Sequence, residues 1–458
     1  MVEFRFGDAS MVRLRLAELL GALSYALDVT EGQPEGHCVR CCWIGHQIGR
    51  RIGLNENELS DLYYTLLLKD LGCSSNAARI CQLYLADDLT FKRDFKQLDD
   101  ALPQVLRFVL GHTGLKAGLA ERFRAIANIF QNGGEISREL IETRCHRGSD
   151  IARTMRFSEG VASGIQSLDE HWDGGGKPLN TRGADIPIYA RIALLAQVVD
   201  VFHAASGPSA ALAEARRRAG SWFDPTLVSA LESLGADEAF WRVLKSPDLL
   251  EEILRLPPGQ NSVLVDDDYL DDIAAAFAQV IDSKSPFTSN HSERVTAYAD
   301  MIAERMGLSL EHRRWLKRAA LLHDIGKLGV SNAILDKPGK LDEAEWTAMR
   351  AHPALSQEIL ARIHAFRDLA PIAGAHHERL DGKGYPRGLA GDQICLDTRI
   401  LTVADIFDAL TAKRPYRDAM PIGKALVILE EMVGSAIDPD CFAALRESLY
   451  APEAQTAA

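Results

Sequence analysis

Apolar residues recur every three or four positions along most of this chain, as in the stretch Val295, Tyr298, Ala299, Ile302 and Met306. This spacing puts the apolar side chains on one face of an α-helix. Alternating apolar and polar runs, which are typical of half-buried strands, are few. The pattern therefore predicts an all-α protein.

The helical pattern is interrupted near the middle of the chain. Two prolines and a glycine follow Leu256, and the acidic run Asp266-Asp267-Asp268 then opens a new amphipathic helix. Proline and glycine end helices, and acidic residues favour helix starts. A chain of 458 residues is also too long for one ordinary core. We predict one domain over residues 1–262 and a second over residues 263–458.

The two halves repeat each other. An offset of 254 pairs residues without a gap: His37 with His291, Arg40 with Arg294, Gly53 with Gly307, Leu68 with Leu322, Asp70 with Asp324, and Gly72 with Gly326. Farther on, an offset of 208 pairs Glu170 with Glu378, Asp173 with Asp381, Gly174 with Gly382, Pro178 with Pro386, Arg191 with Arg399, and Asp200 with Asp408. The offsets differ by 46 residues, so we predict an insertion of that size in the first copy, within about residues 73–145. Two tandem helical bundles follow from the repeat.

The two copies differ at the residues that carry chemistry. The first copy has Lys69 for His323, Cys73 for Lys327, Leu168 and Asp169 for His376 and His377, and Gln197 for Asp405. Leucine cannot bind a metal, and a lysine ammonium cannot until it loses its proton. The first copy is therefore predicted to be catalytically inactive.

The second copy keeps a set of metal-binding side chains, namely His291, His323, Asp324, His352, His376, His377 and Asp405. Imidazole and carboxylate donors without a thiolate suit first-row divalent ions, so iron or manganese fits better than a structural zinc ion. A carboxylate such as Asp324 can bridge two ions, and a metal pair activates water for attack on a phosphodiester. The set predicts a hydrolytic centre with two divalent transition-metal ions.

Most of these residues have an ordinary explanation when taken singly. A lone histidine such as His352 is usually a hydrogen-bonded polar residue, and Gly382 and Gly384 are explained by a tight turn. Tyr385 is equally suited to stacking on a base or to filling the core. The combination, in this order along the chain, carries the prediction.

Residues from about 285 to 420 resemble the HD-GYP family of phosphodiesterases, a subgroup of the HD metal hydrolases. The resemblance rests on His323-Asp324-Ile325-Gly326-Lys327, on His376 through Pro386, and on Arg414-Pro415-Tyr416-Arg417. It implies one metal held by His291, His323, Asp324 and Asp405, and another held by the bridging Asp324 with His352, His376 and His377. It also implies that Asp324 and Lys327 are catalytic, with Lys327 on the scissile phosphate and Arg414 and Arg417 near the substrate's phosphates.

One position departs from the family pattern. Some members carry a glutamate four residues before the first histidine, where it helps to hold a third metal. This chain has Phe287 there, and phenylalanine offers no ligand. We therefore expect two metals rather than three.

The resemblance implies hydrolysis of a cyclic dinucleotide. Our leading expectation is cyclic di-GMP, opened to pGpG, with further hydrolysis to GMP left open, and the alternative is 3',3'-cyclic GMP-AMP. A third reading, with lower weight, is a non-catalytic module that binds the dinucleotide as a signal. None of the motif residues distinguishes the second base of the substrate.

Charge and composition limit which binding partners and which cellular compartment we expect. A net charge of −13 argues against DNA binding, which needs a basic face. The start of the chain lacks a charged-then-apolar leader, and we expect no apolar stretch of the roughly 18 residues that span a membrane. We expect a cytoplasmic protein with reduced cysteines, including the cluster at Cys38, Cys41 and Cys42. The first copy is expected to pack on the second or support a homodimer, with a regulatory ligand site as the alternative.

Overall fold

The computed structural model describes residues 16–98, 102–115, 117–256, 265–413 and 417–450. Within these ranges the chain forms α-helices and short 3₁₀ helices, and no β-strand occurs apart from isolated bridges. The expected all-α class is confirmed. The predicted junction after Leu256 lies outside the described residues, as does Arg414.

The described chain divides into two compact units. The first unit runs as far as Asp272 and includes Ser331–Ala333, and the second holds Ile273–Val330 and the residues from Ile334 onward. The division falls inside one helix, ten residues beyond the boundary that we predicted at 262. Because residues 257–264 are not described, the boundary at 262 remains a prediction.

The helices of the first unit are α1 (Leu16–Thr30), α2 (His37–Arg51), α3 (Glu56–Leu68), α4 (Ala77–Tyr84), α5 (Asp88–Phe95), α6 (Leu102–His112), α7 (Leu119–Thr154), α8 (Glu159–Gln166), α9 (Ile188–Ser206), α10 (Pro208–Arg217), α11 (Pro225–Gly235), α12 (Glu238–Val243) and α13 (Leu249–Leu254). Two 3₁₀ helices, Cys73–Asn76 and Gly183–Asp185, connect them. Helix α9 packs against α2, α3, α8 and α10 and forms the centre of this bundle.

The next helix, α14 (Asp267–Asp282), begins in the first unit and continues into the second. The second unit then contains α15 (His291–Arg305), α16 (Leu310–Leu322), α17 (Asn332–Leu335), α18 (Glu343–Arg350), α19 (His352–Ala361), α20 (Ala370–Ala373), α21 (Leu396–Thr411), α22 (Ile422–Met432) and α23 (Pro439–Tyr450). Three 3₁₀ helices, Ile325–Gly329, His364–Phe366 and Gly391–Gln393, lie between them. Helix α15 packs against α16, α21 and α23.

Helix α15 illustrates how the sequence pattern becomes packing. Val295, Ala299 and Ile302 are fully buried, as the helical spacing predicts. Tyr298 lies at the edge of this face, with its ring 4.8 Å from the ring of Phe407 on α21. The buried face therefore fixes α15 against α21 and determines where His291, the first residue of α15, lies.

One described helix, α9, is long and apolar enough to cross a membrane when judged by length and composition alone. We expected no apolar stretch of about 18 residues, and this helix differs from that expectation. In the fold, 67% of its apolar window is buried inside the bundle. The cytoplasmic location remains a prediction.

Candidate metal centre

The centre is built around Asp324, at the turn where α16 passes into the 3₁₀ helix Ile325–Gly329. Gly326 makes this turn possible, because a Cβ atom there would lie 2.0 Å from the carbonyl oxygen of His352. A glycine permits the close approach of two backbones. The contact brings His352, the first residue of α19, beside Asp324.

A first group of side chains lies on one side of Asp324. Its Oδ2 atom is 3.3 Å from Nε2 of His291 and 3.4 Å from Nε2 of His323. Asp405 approaches the same space from α21, with Oδ1 3.4 Å from Nε2 of His291. These residues are buried. The donor atoms of His291, His323 and Asp324 form one group that could hold a cation, and Asp405 belongs to another such group with His323 and His376.

A second group lies on the other side of the same carboxylate. The Oδ1 atom of Asp324 is 3.3 Å from Nε2 of His352 and 3.6 Å from Nε2 of His376. His352, His376 and His377 form a compact group of possible ligands. Because its two oxygens face different groups, Asp324 has the geometry of a carboxylate that bridges two ions.

Backbone contacts orient the histidines. The Nδ1 atoms of His323, His352 and His376 lie 2.7, 2.7 and 2.5 Å from the carbonyl oxygens of the residues three positions earlier. A carbonyl accepts only from a protonated nitrogen, so each Nδ1 carries the hydrogen and each Nε2 presents its lone pair to the centre. This is the tautomer that a metal ligand requires.

The centre leaves buried polar atoms without hydrogen bonds. They are Nε2 of His291, Nε2 of His323 and Oδ1 of Asp324. Buried polar atoms in native proteins are nearly always paired, and an unpaired set calls for an ion or a water molecule. Imidazole nitrogens and carboxylate oxygens together suit a divalent first-row metal. The residues present therefore fit the predicted metal.

The electrostatics agree with metal binding. Burial lowers the pKa of His323 to about 4 and also lowers that of His352, so both rings are neutral near pH 7. Burial opposes ionisation of Asp324, but Lys327 and His323 hold the pKa of this carboxyl well below its usual range. Burial also opposes a charge on His291, yet Asp324 and Asp408 outweigh it and raise its pKa to about 9. A carboxylate-rich site that attracts a proton to His291 will also attract a cation.

Lys327 reaches the centre from the 3₁₀ helix. Its Nζ atom donates to Oδ2 of Asp324 at 2.5 Å, and its side chain is 18% exposed. Lys327 therefore contacts the carboxylate of the centre beside His323. Lys327 combines contact with the centre and access to solvent, which contact with a substrate phosphate requires.

The glycine-rich turn after His377 brings Tyr385 to the centre. Gly382 has φ +71°, and a Cβ atom on Gly384 would lie 2.5 Å from the amide nitrogen of Arg379, so both glycines serve the turn. The carboxylate of Glu378 accepts hydrogen bonds from two amides of the turn at 2.7 and 2.9 Å. The ring of Tyr385 then lies 4.9 Å from that of His377.

Sequence reasoning missed two residues that support this site. Asp408, one helical turn after Asp405, accepts a hydrogen bond from Nδ1 of His291 at 2.7 Å. Arg294 holds Asp408 through two contacts of 2.6 and 3.1 Å. The signal was present, because the repeat preserves both residues. Arg350, which no motif contains, lies with its guanidinium 5.7 Å from the ring centre of Tyr385.

The structure gives different information on the two arginines expected to contact phosphates and on the position where some relatives hold a third metal. Arg414 lies outside the described residues. Arg417 donates through Nη2 to the carbonyl oxygens of Ala409 and Leu410 near the end of α21, a favourable position for a cation, and its role in phosphate binding remains a prediction. Phe287 lines a separate cavity of about 520 Å³ and offers no ligand.

The first unit preserves the frame of this site. His37 Nδ1 lies 2.7 Å from Asp200, and Arg40 donates to Asp200 at 2.6 and 3.2 Å, as in the second unit. A Cβ atom on Gly72 would lie 1.9 Å from the carbonyl oxygen of Arg144, which matches the contact between Gly326 and His352. The chain takes 72 residues from Gly72 to Arg144 but 26 from Gly326 to His352, and the difference is the 46 residues of the predicted insertion.

Cationic side chains lie in the first unit where the second unit has its candidate metal ligands. Lys69 contacts one oxygen of Asp70, and its Nζ lies 3.1 Å from Nε2 of His37. Lys96 lies 3.7 Å from the other oxygen of Asp70. Arg144 and Asp169, the counterparts of His352 and His377, form an ion pair. The cluster of thiols nearby also remains protonated, because burial raises the pKa of Cys38, Cys41 and Cys42.

Comparison with known proteins agrees with this geometry. The family model for the HD domain matches residues 117–227 and 275–441, so it covers parts of both copies. The chain belongs to the HD domain family, and the expected resemblance to its HD-GYP phosphodiesterases is confirmed.

Relatives and a solved structure define the similarity further. The chain is 56% identical over 434 residues to 3'3'-cGAMP-specific phosphodiesterase 3 of Vibrio cholerae, covering 95% of this chain and 94% of that protein. It is 43% identical over 170 residues to the cyclic di-GMP phosphodiesterase response regulator RpfG of Xanthomonas campestris, covering 37% of this chain and 45% of that protein. A crystal structure of a cyclic GMP-AMP-specific phosphodiesterase from V. cholerae matches with a TM-score of 0.65 and 50% identity, over 96% of this chain and 98% of that one.

Proposed function

We propose that the second unit is a phosphodiesterase that hydrolyses 3',3'-cyclic GMP-AMP at a centre of two divalent metal ions. The observation that carries the proposal is the position of Asp324, whose two oxygens face two separate groups of histidines. One ion would be held by His291, His323, Asp324 and Asp405. The other would be held by Asp324, His352, His376 and His377.

When bound, such a metal pair supplies an activated water and positive charge for a phosphodiester. The chain's own groups then position the substrate. Lys327 offers an ammonium beside Asp324 that can bind the scissile phosphate. Tyr385 offers a half-buried aromatic face on which a base can stack. Arg414 and Arg417 remain the candidates for binding the other phosphate.

The choice of substrate differs from our leading expectation, which was cyclic di-GMP. The relative that spans almost the whole chain is named for 3'3'-cGAMP, whereas the cyclic di-GMP enzyme RpfG matches only 37% of the chain. Similarity over both units supports the alternative, cyclic GMP-AMP.

We further propose that the first unit does not catalyse, because ammonium and guanidinium groups lie beside Asp70 and at the ligand positions. The number of metals is proposed as two, since Phe287 supplies no further ligand, and iron or manganese is the expected identity. A homodimer remains a prediction.

Parallel hydrolysis assays test the function. Purified protein loaded with iron or manganese is given each cyclic dinucleotide, and the products are separated by chromatography. We expect faster turnover of cyclic GMP-AMP, and loss of turnover in His323→Ala. The matched control is His312→Ala, since His312 lies on α16, the helix that ends just before His323, and pairs with Asp397 away from the centre. Faster turnover of cyclic di-GMP would contradict the substrate, and binding without turnover of either would support a signalling module instead.

A further inference from the structure

The first unit contains a cavity of about 640 Å³ that the proposed function does not use. Of the residues that line it, all but Glu31 lie between Cys73 and Arg144, in the stretch that contains the 46 extra residues. We call it the insertion cavity. Its volume is in the range of 300–1,000 Å³ that is typical of small-molecule sites. A space of ligand size therefore lies in the stretch of the first unit that contains the extra residues.

The floor of the insertion cavity is cationic and adjoins the remains of the first metal site. Lys96 has only 8% of its side chain exposed, and its Nζ lies 2.8 Å from Oε2 of Glu31 and 3.7 Å from Oδ1 of Asp70. Burial opposes a charge on Lys96, but Asp70 and Glu31 raise its pKa, so the ammonium remains charged. The lining of the cavity therefore includes a buried positive charge.

Two charged side chains at this floor form ion pairs but still have a donor atom without a hydrogen bond. Nζ of Lys96 and Nε of Arg144 are both buried and make no hydrogen bond with any described residue. The contact of Lys96 with Glu31 is an ion pair whose geometry does not form a hydrogen bond. An ammonium has three donors, and charged donors form the strongest hydrogen bonds with anionic oxygens. The floor is thus suited to an anionic head group.

The walls are apolar. Ile80, Phe91 and Phe108 form a buried cluster, and the ring of Phe91 lies 4.2 Å from that of Tyr84 and 5.1 Å from that of Phe108. Towards solvent the lining includes Phe95 and Phe130, each 52% exposed. A large exposed apolar surface beside a cavity is typical of a binding site.

Polar side chains are few on the walls, and two of them are already paired. Asn76 donates to the carbonyl oxygen of Leu140 at 2.7 Å, and Ser137 accepts from Lys177 at 3.2 Å. A nucleotide would bring many sugar hydroxyls and base amides to walls that are mainly apolar, at a cost in binding. Glu31 and Asp70 would also repel a dianion. The chemistry therefore favours a ligand with one negative charge and an apolar tail.

We propose that the first unit binds an amphipathic carboxylate of the fatty-acid type in the insertion cavity, with its carboxylate on Lys96 and Arg144 and its tail among the aromatic walls. This site is distinct from the metal centre. Its ligand needs no metal, and its detection does not depend on turnover by the second unit.

Titration calorimetry of the full chain tests the proposal with probes that share one tail length. Decanoate should bind with one molecule per chain. Decanol, which lacks the charge, should bind at least about tenfold more weakly, because it forfeits a charge-assisted contact. Decyltrimethylammonium should not bind, and decyl phosphate should bind more weakly as its second charge ionises.

Two neighbouring glycines on α7 provide a matched pair of variants. A Cβ atom on Gly133 or on Gly134 would contact nothing within 4 Å, yet only Gly133 lines the insertion cavity. Gly133→Leu should fill the cavity and weaken decanoate binding at least about tenfold, whereas Gly134→Leu should leave it unchanged. Both substitutions favour the helix, so neither should prevent folding.

A third variant tests the head group. Lys96→Met should reduce decanoate binding to the level of decanol, while Lys245→Met, at an exposed lysine of the same unit, should not. Equal binding of decanoate and decanol to the wild type, no binding of either, or unchanged binding to Gly133→Leu would each overturn the proposal. The proposal would also be overturned if the wild type bound no probe and formed a dimer that Gly133→Leu dissociates. That result would show that a second copy of the chain covers this surface.

Discussion

Replacement of Asp408 by asparagine should weaken metal binding without removing a metal ligand. The carboxylate of Asp408 is fully buried and holds Nδ1 of His291 at 2.7 Å and Arg294 at 2.6 and 3.1 Å. Asparagine keeps the shape but loses the charge that orients the imidazole. Loss of such an outer partner typically lowers metal affinity by about 10–100-fold, or about 1.4–2.8 kcal/mol.

The repeat supplies an internal control for this prediction. Asp200→Asn removes the same carboxylate from the first unit, where it holds His37 at 2.7 Å and Arg40 at 2.6 Å. Each variant should lose a few kcal/mol of stability, since hydrogen bonds to buried charges contribute about 1.5–3 kcal/mol each. The loss should be somewhat smaller for Asp408→Asn, because Arg294 is 36% exposed and Arg40 only 14%.

Competition with a metal-binding dye, together with calorimetric melting, measures both effects. Both variants should melt at lower temperature, but only Asp408→Asn should need more metal for half-saturation. Equal loss of metal affinity in the two variants would refute the reasoning, because it would mean that the effect arises from general destabilisation. Unchanged affinity in Asp408→Asn would show that His291 needs no such support.

Three further predictions follow from single contacts. Lys327→Met should lower kcat by at least about tenfold, while elemental analysis should show unchanged metal content. The reason is that Lys327 contacts Asp324 but donates no lone pair to a metal. A parallel loss of metal would contradict this role of Lys327. Gly326→Ala should yield little folded protein by circular dichroism, since its Cβ would lie 2.0 Å from a backbone oxygen, whereas Gly423→Ala, which meets nothing within 4 Å, should fold normally. Burial opposes ionisation of Glu31, but Lys96 and Lys92 lower its pKa to about 2, so the stability that its ionised carboxylate contributes is present above pH 4.5 and is lost as the pH falls to 2. In urea unfolding, Glu31→Gln should therefore lose about 3 kcal/mol less stability on acidification than the wild type does. An unchanged dependence of stability on pH would contradict this pairing.

The family resemblance and the candidate ligands could be found from sequence because they depend on local spacing. His323, Asp324 and Lys327 lie within one turn and the start of the next, so helical geometry alone directs them to one cavity. His376 and His377 adjoin the turn that Gly382 and Gly384 require. The repeat added a comparison within the chain, and it separated residues that shape the turn from residues that carry chemistry.

The substrate could not be predicted in the same way. The motif residues are proposed to contact phosphates, which cyclic di-GMP and cyclic GMP-AMP share. Arg350 lies near Tyr385 but belongs to none of the motifs, so sequence spacing gave no reason to consider it. Groups of this kind, outside the motifs, would distinguish the bases.

The amino-acid sequence by itself determined the helical class, the tandem repeat and the loss of metal ligands from the first copy, because periodicity and residue type are local properties. Only the tertiary structure decided that the two oxygens of Asp324 face separate groups, and that Asp408 orients His291 from 117 residues away. It also decided that Lys96, which lies in the stretch that contains the predicted insertion, approaches Asp70. These relations depend on where distant segments meet, and burial of the helix faces, rather than sequence spacing, fixes those meeting points.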